Sequence, residues 1–244
     1  ADLVAKHQRV FRVDSEFRSG AHFHRAVELV RNGRLGRLHT VRTGSPTESF
    51  PKEAATITPP PPELDYDLWL GPAPQVDYMQ KRVHPPHNLG ARPGWMRNLD
   101  YCDGMITNWG THLNDIAQWG ANTERTGPVE VMATGTFHND PVWNVLESFD
   151  ARFKFANGLE LFYQMGEPHV RFEGEKGWIQ VNFPGQLSAS DPAILRAKIG
   201  PEEIHFPLRS EKADFIECVK TRGRTLEDEI VGQRLLSANG VIGL

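Results

Sequence analysis

The second half of the chain contains a succession of short segments in which apolar and polar residues alternate with a period of two. Val129–Ala133 and Phe149–Phe155 show this alternation, and the hairpin signal Asn157-Gly158 joins the second of them to Leu159–Met165. Further strands are predicted at residues 178–183, 195–199 and 203–208. Because such a period places alternate side chains on opposite faces, and short turns favour antiparallel neighbours, the pattern predicts an open, mostly antiparallel β-sheet.

Amphipathic segments predict helices that cover one face of this sheet. Phe23–Asn32 gathers its apolar residues on one side, and Gly104–Gly120 is the strongest helix candidate. Two closing helices are predicted at residues 212–220 and from residue 226 to about 237. The strands and helices occur in separate runs, so the expected fold is α+β with the helices on one face of the sheet.

The composition limits the classes of function that need to be considered. An apolar fraction of 39% and a charged fraction of 24% are those of a folded globular protein. The formal net charge of −4 argues against nucleic-acid binding, and no apolar run approaches the ~20 residues that span a bilayer. Only Cys102 and Cys218 occur, so no disulfide framework is predicted. The chain starts at Ala1 inside a helical pattern, and we expect a fragment from which localisation cannot be read.

One predicted helix carries the residues that most resemble a reactive site. Asn108, His112, Asp115 and Trp119 follow one another at spacings of four, three and four, so they share one stripe of the helix. An imidazole flanked by an amide and a carboxylate is a plausible proton-transfer unit, because a carboxylate orients the ring and favours its charged form. The spacing also fits a structural role, in which a buried His bonded to Asp ties the helix to a loop. No metal site is predicted, because His112 and Asp115 supply only two ligands.

The same helix lies in a stretch that resembles the signature of the glucose–fructose oxidoreductase/inositol dehydrogenase family (Gfo/Idh/MocA). That signature is a Gly-rich turn, an Asp, three residues, a His, two or three residues and an Asp; the stretch here is DYCDGMITNWGTHLNDIAQW, residues 100–119. Further similar segments are WLGPAP (69–74), FEGEKGWI (172–179) and DFIECVK (214–220). The resemblance implies hydride exchange between a sugar or polyol hydroxyl and NAD or NADP. His112 would then take or give the hydroxyl proton, and Asn108 and Asp115 would orient it or the substrate.

Two departures from the family pattern qualify this expectation. The family's GxGxxG and Glu-Lys-Pro motifs belong to an N-terminal Rossmann domain, and neither occurs here. Arg9–Arg18 resembles the last strand of that domain and the crossover after it. We therefore expect residues 1–19 to be a remnant of the dinucleotide-binding α/β unit and residues 20–244 to form the substrate-binding and oligomerisation domain. The nicotinamide would be bound mainly by the missing domain, and this fragment alone would be inactive.

The second departure is Asn108, which stands where the family has an Asp four residues before the His. An amide can orient a hydroxyl but cannot accept its proton, so two alternatives remain beside the oxidoreductase. The first is an oxidation-assisted glycosidase or lyase of the same family. The second is a non-catalytic carbohydrate-binding protein that retains the fold.

Further residues are candidates for substrate binding, and each of them also fits an ordinary structural or surface role. His84 and His87 lie in a long loop before the signature and either line the sugar pocket or lie on the surface. Trp95 is a platform for a sugar face or a core residue, and Arg97 is assigned to the same pocket. Arg18 touches the substrate or the cofactor, or is simply solvated. We also expect a homodimer or homotetramer through the sheet, since residues 149–155 and 159–163 supply apolar groups that are assigned to both of its faces.

Overall fold

The computed structural model describes residues 1–51, 56–84 and 92–240. The helices are α1 (Asp2–Lys6), α2 (Ala21–Arg31), α3 (Tyr66–Leu70), α4 (Gln80–Val83), α5 (Met105–Ala121), α6 (Pro192–Arg196), α7 (Glu211–Thr221) and α8 (Glu229–Gly240). The strands are β1 (Leu38–Ser45), β2 (Glu130–Phe137), β3 (Leu146–Lys154), β4 (Glu160–Met165), β5 (His169–Gly174), β6 (Gly177–Asn182) and β7 (Gln186–Ala189). Short 3₁₀ turns lie at Glu16–Ser19 and Gly94–Arg97. The α+β prediction is confirmed.

The seven strands form one sheet in the order β2-β3-β4-β1-β5-β6-β7. The predicted hairpin joins β3 to β4: Asn157 Oδ1 accepts a hydrogen bond from Leu159 N at 3.1 Å, and Gly158 has a positive φ of 83°. Strand β1 lies between β4 and β5, and its pairing with β4 is parallel whereas the other pairs are antiparallel. An early strand is thus inserted beside a later hairpin, which makes β1 the centre of the sheet.

Most of the buried apolar side chains of the strands lie on one face of the sheet. The buried residues of β3 and β4 and of the turn between them share that face; they are Phe149, Ala151, Phe153, Phe155, Leu159, Leu161 and Tyr163. The opposite face is polar: Arg42 and Arg152 stack on the ring of Phe162 at 4.7 and 5.8 Å. The prediction that these strands supply apolar groups to both faces holds only for Phe162, because their strict alternation assigns the other large apolar groups to the helix-covered face.

Helix α5 packs most deeply against the apolar face. It starts at Gly104, where φ is 73° and an added Cβ would lie 2.8 Å from a Val145 methyl, so both the backbone and the space require glycine. Near its end, Gly120 lets the helix approach the ring of Phe172, which an added Cβ would meet at 2.5 Å. These two contacts fix the position of α5 along the sheet.

Helix α2 holds the segment that was predicted to form the strands 195–199 and 203–208. The backbone of this segment bonds to α2 side chains instead: Asn32 pairs with both Ile204 N and Ile204 O at 2.8–2.9 Å, and Phe206 N donates to Glu28 Oε1 at 3.0 Å. Residues 192–196 form helix α6, with Asp191 accepting from Ala193 N. The strand predictions here are wrong, because polar side chains of a neighbouring helix satisfy the backbone in place of a strand.

The N-terminal segment forms no strand, although Arg9–Arg18 resembles the last strand of a Rossmann domain and the crossover after it. Its backbone runs beside the loop before α8, where Val13 N donates to Glu227 O at 3.0 Å and Thr225 Oγ1 donates to Phe11 O at 2.7 Å. Phe17 nevertheless belongs to the main hydrophobic core. Residues before position 20 therefore contribute to the folding of this domain, and the division at residue 19 stays a prediction.

Candidate functional site

Helix α5 is anchored to the sheet by buried hydrogen bonds along its length. Tyr163 Oη donates to Ile106 O at 3.0 Å, and Thr43 Oγ1 donates to Asn114 Oδ1 at 2.7 Å. Burial raises the pKa of Tyr163, which keeps its hydroxyl protonated as a donor. The helix is thus a rigid support for the polar residues on its other stripe.

The first part of that stripe is a buried ion pair. Asp115 receives two hydrogen bonds from the Arg18 guanidinium, at 2.6 and 2.7 Å, and a third from Ser15 Oγ at 2.9 Å. Arg18 and Asp115 are only 2% and 1% exposed. The assignment of these two residues to substrate binding is corrected accordingly, since every strong acceptor and donor position of the pair faces another protein group.

Further charges extend this pair into a network. Glu124 Oε2 lies 3.0 Å from Arg18 Nη2, and Glu227 is shared between Arg18, at 3.6 Å, and Arg12. Burial opposes the charge of Arg18, yet Asp115, Glu124 and Glu227 together hold its pKa above the ordinary value. Burial and the nearby charge of Asp115 raise the pKa of Glu227 to about 9. The network joins the N-terminal segment, α5 and the loop before α8.

His112 lies one turn before Asp115, and among the described residues its ring is held by stacking and not by hydrogen bonds. Its ring is half-buried and stacks on Phe17, with the ring centroids 4.8 Å apart and the planes 24° apart. Nδ1 is buried and has no hydrogen-bond partner. The expected pairing of His112 with Asp115 is therefore wrong: the Asp115 carboxylate is already occupied by Arg18 and Ser15. Burial lowers the pKa of His112, although Glu16, Asp115 and Asp14 act in the opposite direction.

Asn108 lies one turn before His112 and is also half-buried. Within the described residues neither side chain forms a hydrogen bond to the protein, whereas Asn114, Asp115 and Thr111 on the same helix do. Asn108 and His112 therefore form a pair of uncommitted polar groups, four residues apart on one face. A neutral imidazole next to an amide can accept a proton from a hydroxyl that the amide orients.

The other predicted substrate residues lie in the segment before α5. Arg97 is buried, its Nε 3.1 Å from Glu48 Oε1 and 2.6 Å from Ser49 O, so it is committed to the protein and its predicted role in the pocket is corrected. Trp95 is half-buried. His84 is half-buried, its ring lies edge-on to Tyr78, and its Nε2 has no hydrogen-bond partner among the residues that the structure describes. His87 lies outside the described residues.

The segment that holds Trp95 and Arg97 reaches the start of α5. Arg92 Nη1 lies 2.6 Å from Met105 Sδ, and Asn98 Nδ2 donates to Val142 O at 2.7 Å. The predicted residues thus divide into three groups: an uncommitted pair on α5, an ion pair that joins Asp115 of the same helix to Arg18 of the N-terminal segment, and a loop that adjoins the beginning of the helix.

Several residues that shape the site carried no sequence signal. Ser15, Phe17 and Glu227 contact the α5 stripe directly or through Arg18, and Glu227 is more than 200 residues from Arg18. In the sequence, the one indication that Ser15, Phe17 and Arg18 act together is that they lie in one short segment.

In residues 1–51, 56–84 and 92–240 no helix is long and apolar enough to cross a membrane, and no three His, Cys, Asp or Glu side chains are placed to hold a metal ion.

Comparison with known proteins places this architecture in a family. Solved structures with the same fold include a protein from Thermotoga maritima assigned to the oxidoreductases, with TM-score 0.64 and 16% identity over 99% of this chain and 64% of that chain. Another is the aldose-aldose oxidoreductase from Caulobacter crescentus, with TM-score 0.62 and 17% identity over 98% of this chain and 63% of that one. A third is the WlbA dehydrogenase from Bordetella pertussis in complex with NADH and UDP-GlcNAcA, with TM-score 0.61 and 15% identity over 99% and 64%.

The chain spans slightly less than two thirds of the length of these structures. No curated protein sequence matches it. A family model described as the C-terminal alpha/beta domain of an oxidoreductase family matches residues 47–237, which is most of the chain and includes all of α5. The chain therefore belongs to the Gfo/Idh/MocA oxidoreductase family and contains its C-terminal domain.

Proposed function

We propose that this chain is the substrate domain of an NAD- or NADP-dependent oxidoreductase that acts on a hydroxyl of a sugar or polyol. The observation that carries the proposal is the pair on α5. Asn108 and His112 are half-buried, adjacent and unbonded on a helix whose other polar residues are largely engaged. Polar groups that the protein leaves unsatisfied at the surface of a buried helix are suited to bind a ligand.

In this proposal His112 removes the proton from the substrate hydroxyl. Its lowered pKa keeps the ring neutral at neutral pH, which is the state that a general base requires. Because Nδ1 is buried, Nε2 is the ring nitrogen that faces substrate. The amide of Asn108 orients the hydroxyl and does not take the proton.

The nicotinamide does not fit this chain. The sequence has no GxGxxG turn leading from a strand into a helix, which is the arrangement that holds the pyrophosphate. When bound, NAD or NADP would supply hydride acceptance, and we assign its binding to a part of the protein outside these 244 residues. The carbohydrate class is supported by the aldose and UDP-sugar names of two structural neighbours.

A second candidate function is favoured by Asn108. An amide at this position leaves His112 as the single proton acceptor of the pair, so a carbohydrate-binding protein without turnover is consistent with the same geometry. In either case self-association through the sheet stays a proposal, although the strand residues expected to supply its apolar contacts, except Phe162, lie on the helix-covered face. Light scattering of the purified chain tests it, and a monomeric mass well above micromolar concentration would contradict it.

The test uses the full-length protein that contains this chain. It is incubated with NAD or NADP and a panel of sugars and polyols, and reduced nicotinamide is measured, while calorimetry measures sugar binding in the same panel. Hydride transfer to the cofactor supports the oxidoreductase. Sugar binding without hydride transfer in either direction identifies the binding protein, and neither binding nor turnover contradicts both candidates.

A further inference from the structure

The inference concerns Phe17, and it rests on the proposed role of His112 as base. We infer that Phe17 is a positioning residue: its ring covers one face of the His112 imidazole, fixes the plane of that ring and keeps water from that side. It touches the proposed base and not the substrate.

The geometry of an aromatic cluster around Phe17 supports this role. Besides His112, the Phe17 ring stacks on Phe23 at 4.9 Å and 15° and on Phe183 at 5.4 Å and 21°. Trp109 meets Phe17 and Phe183 edge-on, at 6.1 and 5.0 Å. Phe17 is only 7% exposed and therefore cannot turn away from the imidazole without opening the core.

His112 depends on this packing because no hydrogen bond holds its ring. A catalytic imidazole usually has its second nitrogen bonded to a carboxylate or carbonyl, which fixes the orientation and the tautomer. Here Nδ1 is buried without a partner. The stacked contact with Phe17 takes over the orienting function that the bond would have.

The ion pair described above determines where Phe17 lies. Ser15 and Arg18, on either side of Phe17 in the sequence, both bond to Asp115, at 2.9 and 2.6–2.7 Å. Asp115 is one turn from His112 on α5. The hydrogen bonds from Ser15 and Arg18 to Asp115 therefore hold the 3₁₀ turn Glu16–Ser19 against the helix, next to the imidazole. The structural network thus supports the candidate site through Phe17.

The charges that face His112 come from the same two elements. Glu16 and Asp14 on the N-terminal segment and Asp115 on α5 all favour the protonated ring, while burial favours the neutral ring and prevails. Phe17 supplies part of that burial. Removal of its ring admits water to one face of the imidazole, so the balance shifts towards protonation.

The experiment is a pH titration of the His112 ring by NMR in the 244-residue chain, with the resonance assigned by its loss in His112→Asn. Phe17→Leu is expected to shift the titration midpoint upward. Phe17→Tyr, which retains the ring, and Phe23→Leu, which removes a ring that stacks on Phe17, are expected to leave the midpoint in place. If Phe17→Leu does not fold, Phe17→Met gives the same readout.

Two results would overturn the inference: an unchanged midpoint in folded Phe17→Leu or Phe17→Met, or an equal shift in Phe23→Leu. The readout needs neither substrate nor nicotinamide. If the protein transfers no hydride but Phe17→Leu shifts the titration midpoint, the proposed function is wrong and the contact between Phe17 and His112 stands. If the protein transfers hydride but Phe17→Leu leaves the midpoint unchanged, the proposed function stands and Phe17 has no part in it.

Discussion

Polar residues at two neighbouring turns of helix α5, Asp115 on one and Asn108 with His112 on the other, are treated in opposite ways by the fold. Asp115 is fully buried and receives three hydrogen bonds from Arg18 and Ser15. Asn108 and His112 are half-buried and receive none from the described part of the chain. The spacing of residues along a helix assigns all of them to one stripe, but their burial and hydrogen-bond partners distinguish an end that is bonded within the protein from an end that is open to a ligand.

The difference has a physical cause. A buried charge costs several kcal/mol unless it is paired, so a carboxylate deep in the core must find an arginine. A half-exposed amide or imidazole can be satisfied by water and later by a ligand, so the fold tolerates it without a protein partner. The two ends of the stripe should therefore respond differently to substitution. We expect changes at Asp115 and its partners to lower the free energy of unfolding, and changes at Asn108 and His112 to alter ligand binding or turnover.

The largest effect is expected for Arg18→Ala. It removes the partner of Asp115 and one partner of Glu227 and leaves both carboxyl groups buried, so the free energy of unfolding should fall by about 3–5 kcal/mol. Urea unfolding of the chain measures this. Arg37→Ala, which breaks an exposed pair with Glu175, is the matched control and should cost less than about 1 kcal/mol. Equal losses in the two variants would remove the distinction between the buried pair and a surface pair.

The same network predicts a pH dependence of stability. The pKa of Glu227 is raised from 4.5 in the unfolded chain to about 9, so the folded state holds a proton that the unfolded state has released. Stability should therefore fall as pH rises between these values, by at most about 1.4 kcal/mol per pH unit. Glu227→Gln, which cannot ionise, should remove this slope. Unfolding curves at several pH values check the prediction, and parallel slopes for the two proteins would contradict it.

The sequence predicted the elements whose signal is local. Helix α5 was located to within a residue at each end, because Gly104 and the apolar periodicity mark it, and the β3–β4 hairpin followed from Asn157-Gly158. No local pattern predicts β5 or β7, whereas strands are predicted at residues 195–199 and 203–208, a segment that Glu28 of α2 and its C-cap residue Asn32 hold instead. Such bonds join residues more than 170 apart and leave no trace in a local pattern.

For the site, the sequence located the candidate polar stripe on α5 but did not show which of its residues are bonded within the protein. His112 and Asp115 were expected to bond each other, since they are three residues apart on a helix. In the structure Asp115 pairs with Arg18, which is 97 residues away in the sequence. A guanidinium that donates two parallel hydrogen bonds satisfies a buried carboxylate better than one imidazole nitrogen does. The pairing could not be predicted without the packing of the N-terminal segment against α5.

A smaller effect is expected at the other end of the stripe, for Asn108→Asp. The two side chains are nearly the same size, so the free energy of unfolding should change by less than about 1 kcal/mol. A carboxylate one turn from His112 favours the protonated ring, and the pKa of His112 should rise. NMR titration of the ring measures the shift, with Asn139→Asp on an exposed loop as control. An unchanged His112 titration would place Asn108 away from the imidazole.

The central claim is that His112 belongs to the chemistry and Asp115 and Arg18 to the framework. The most direct measurement is turnover and unfolding free energy of His112→Ala in the full-length protein, with the exposed His39→Ala as control. We expect a 10²–10⁴-fold loss of turnover, the usual range for a general base, with a stability change of about 1 kcal/mol or less. A His112→Ala protein with normal turnover, or one as unstable as Arg18→Ala, would contradict it.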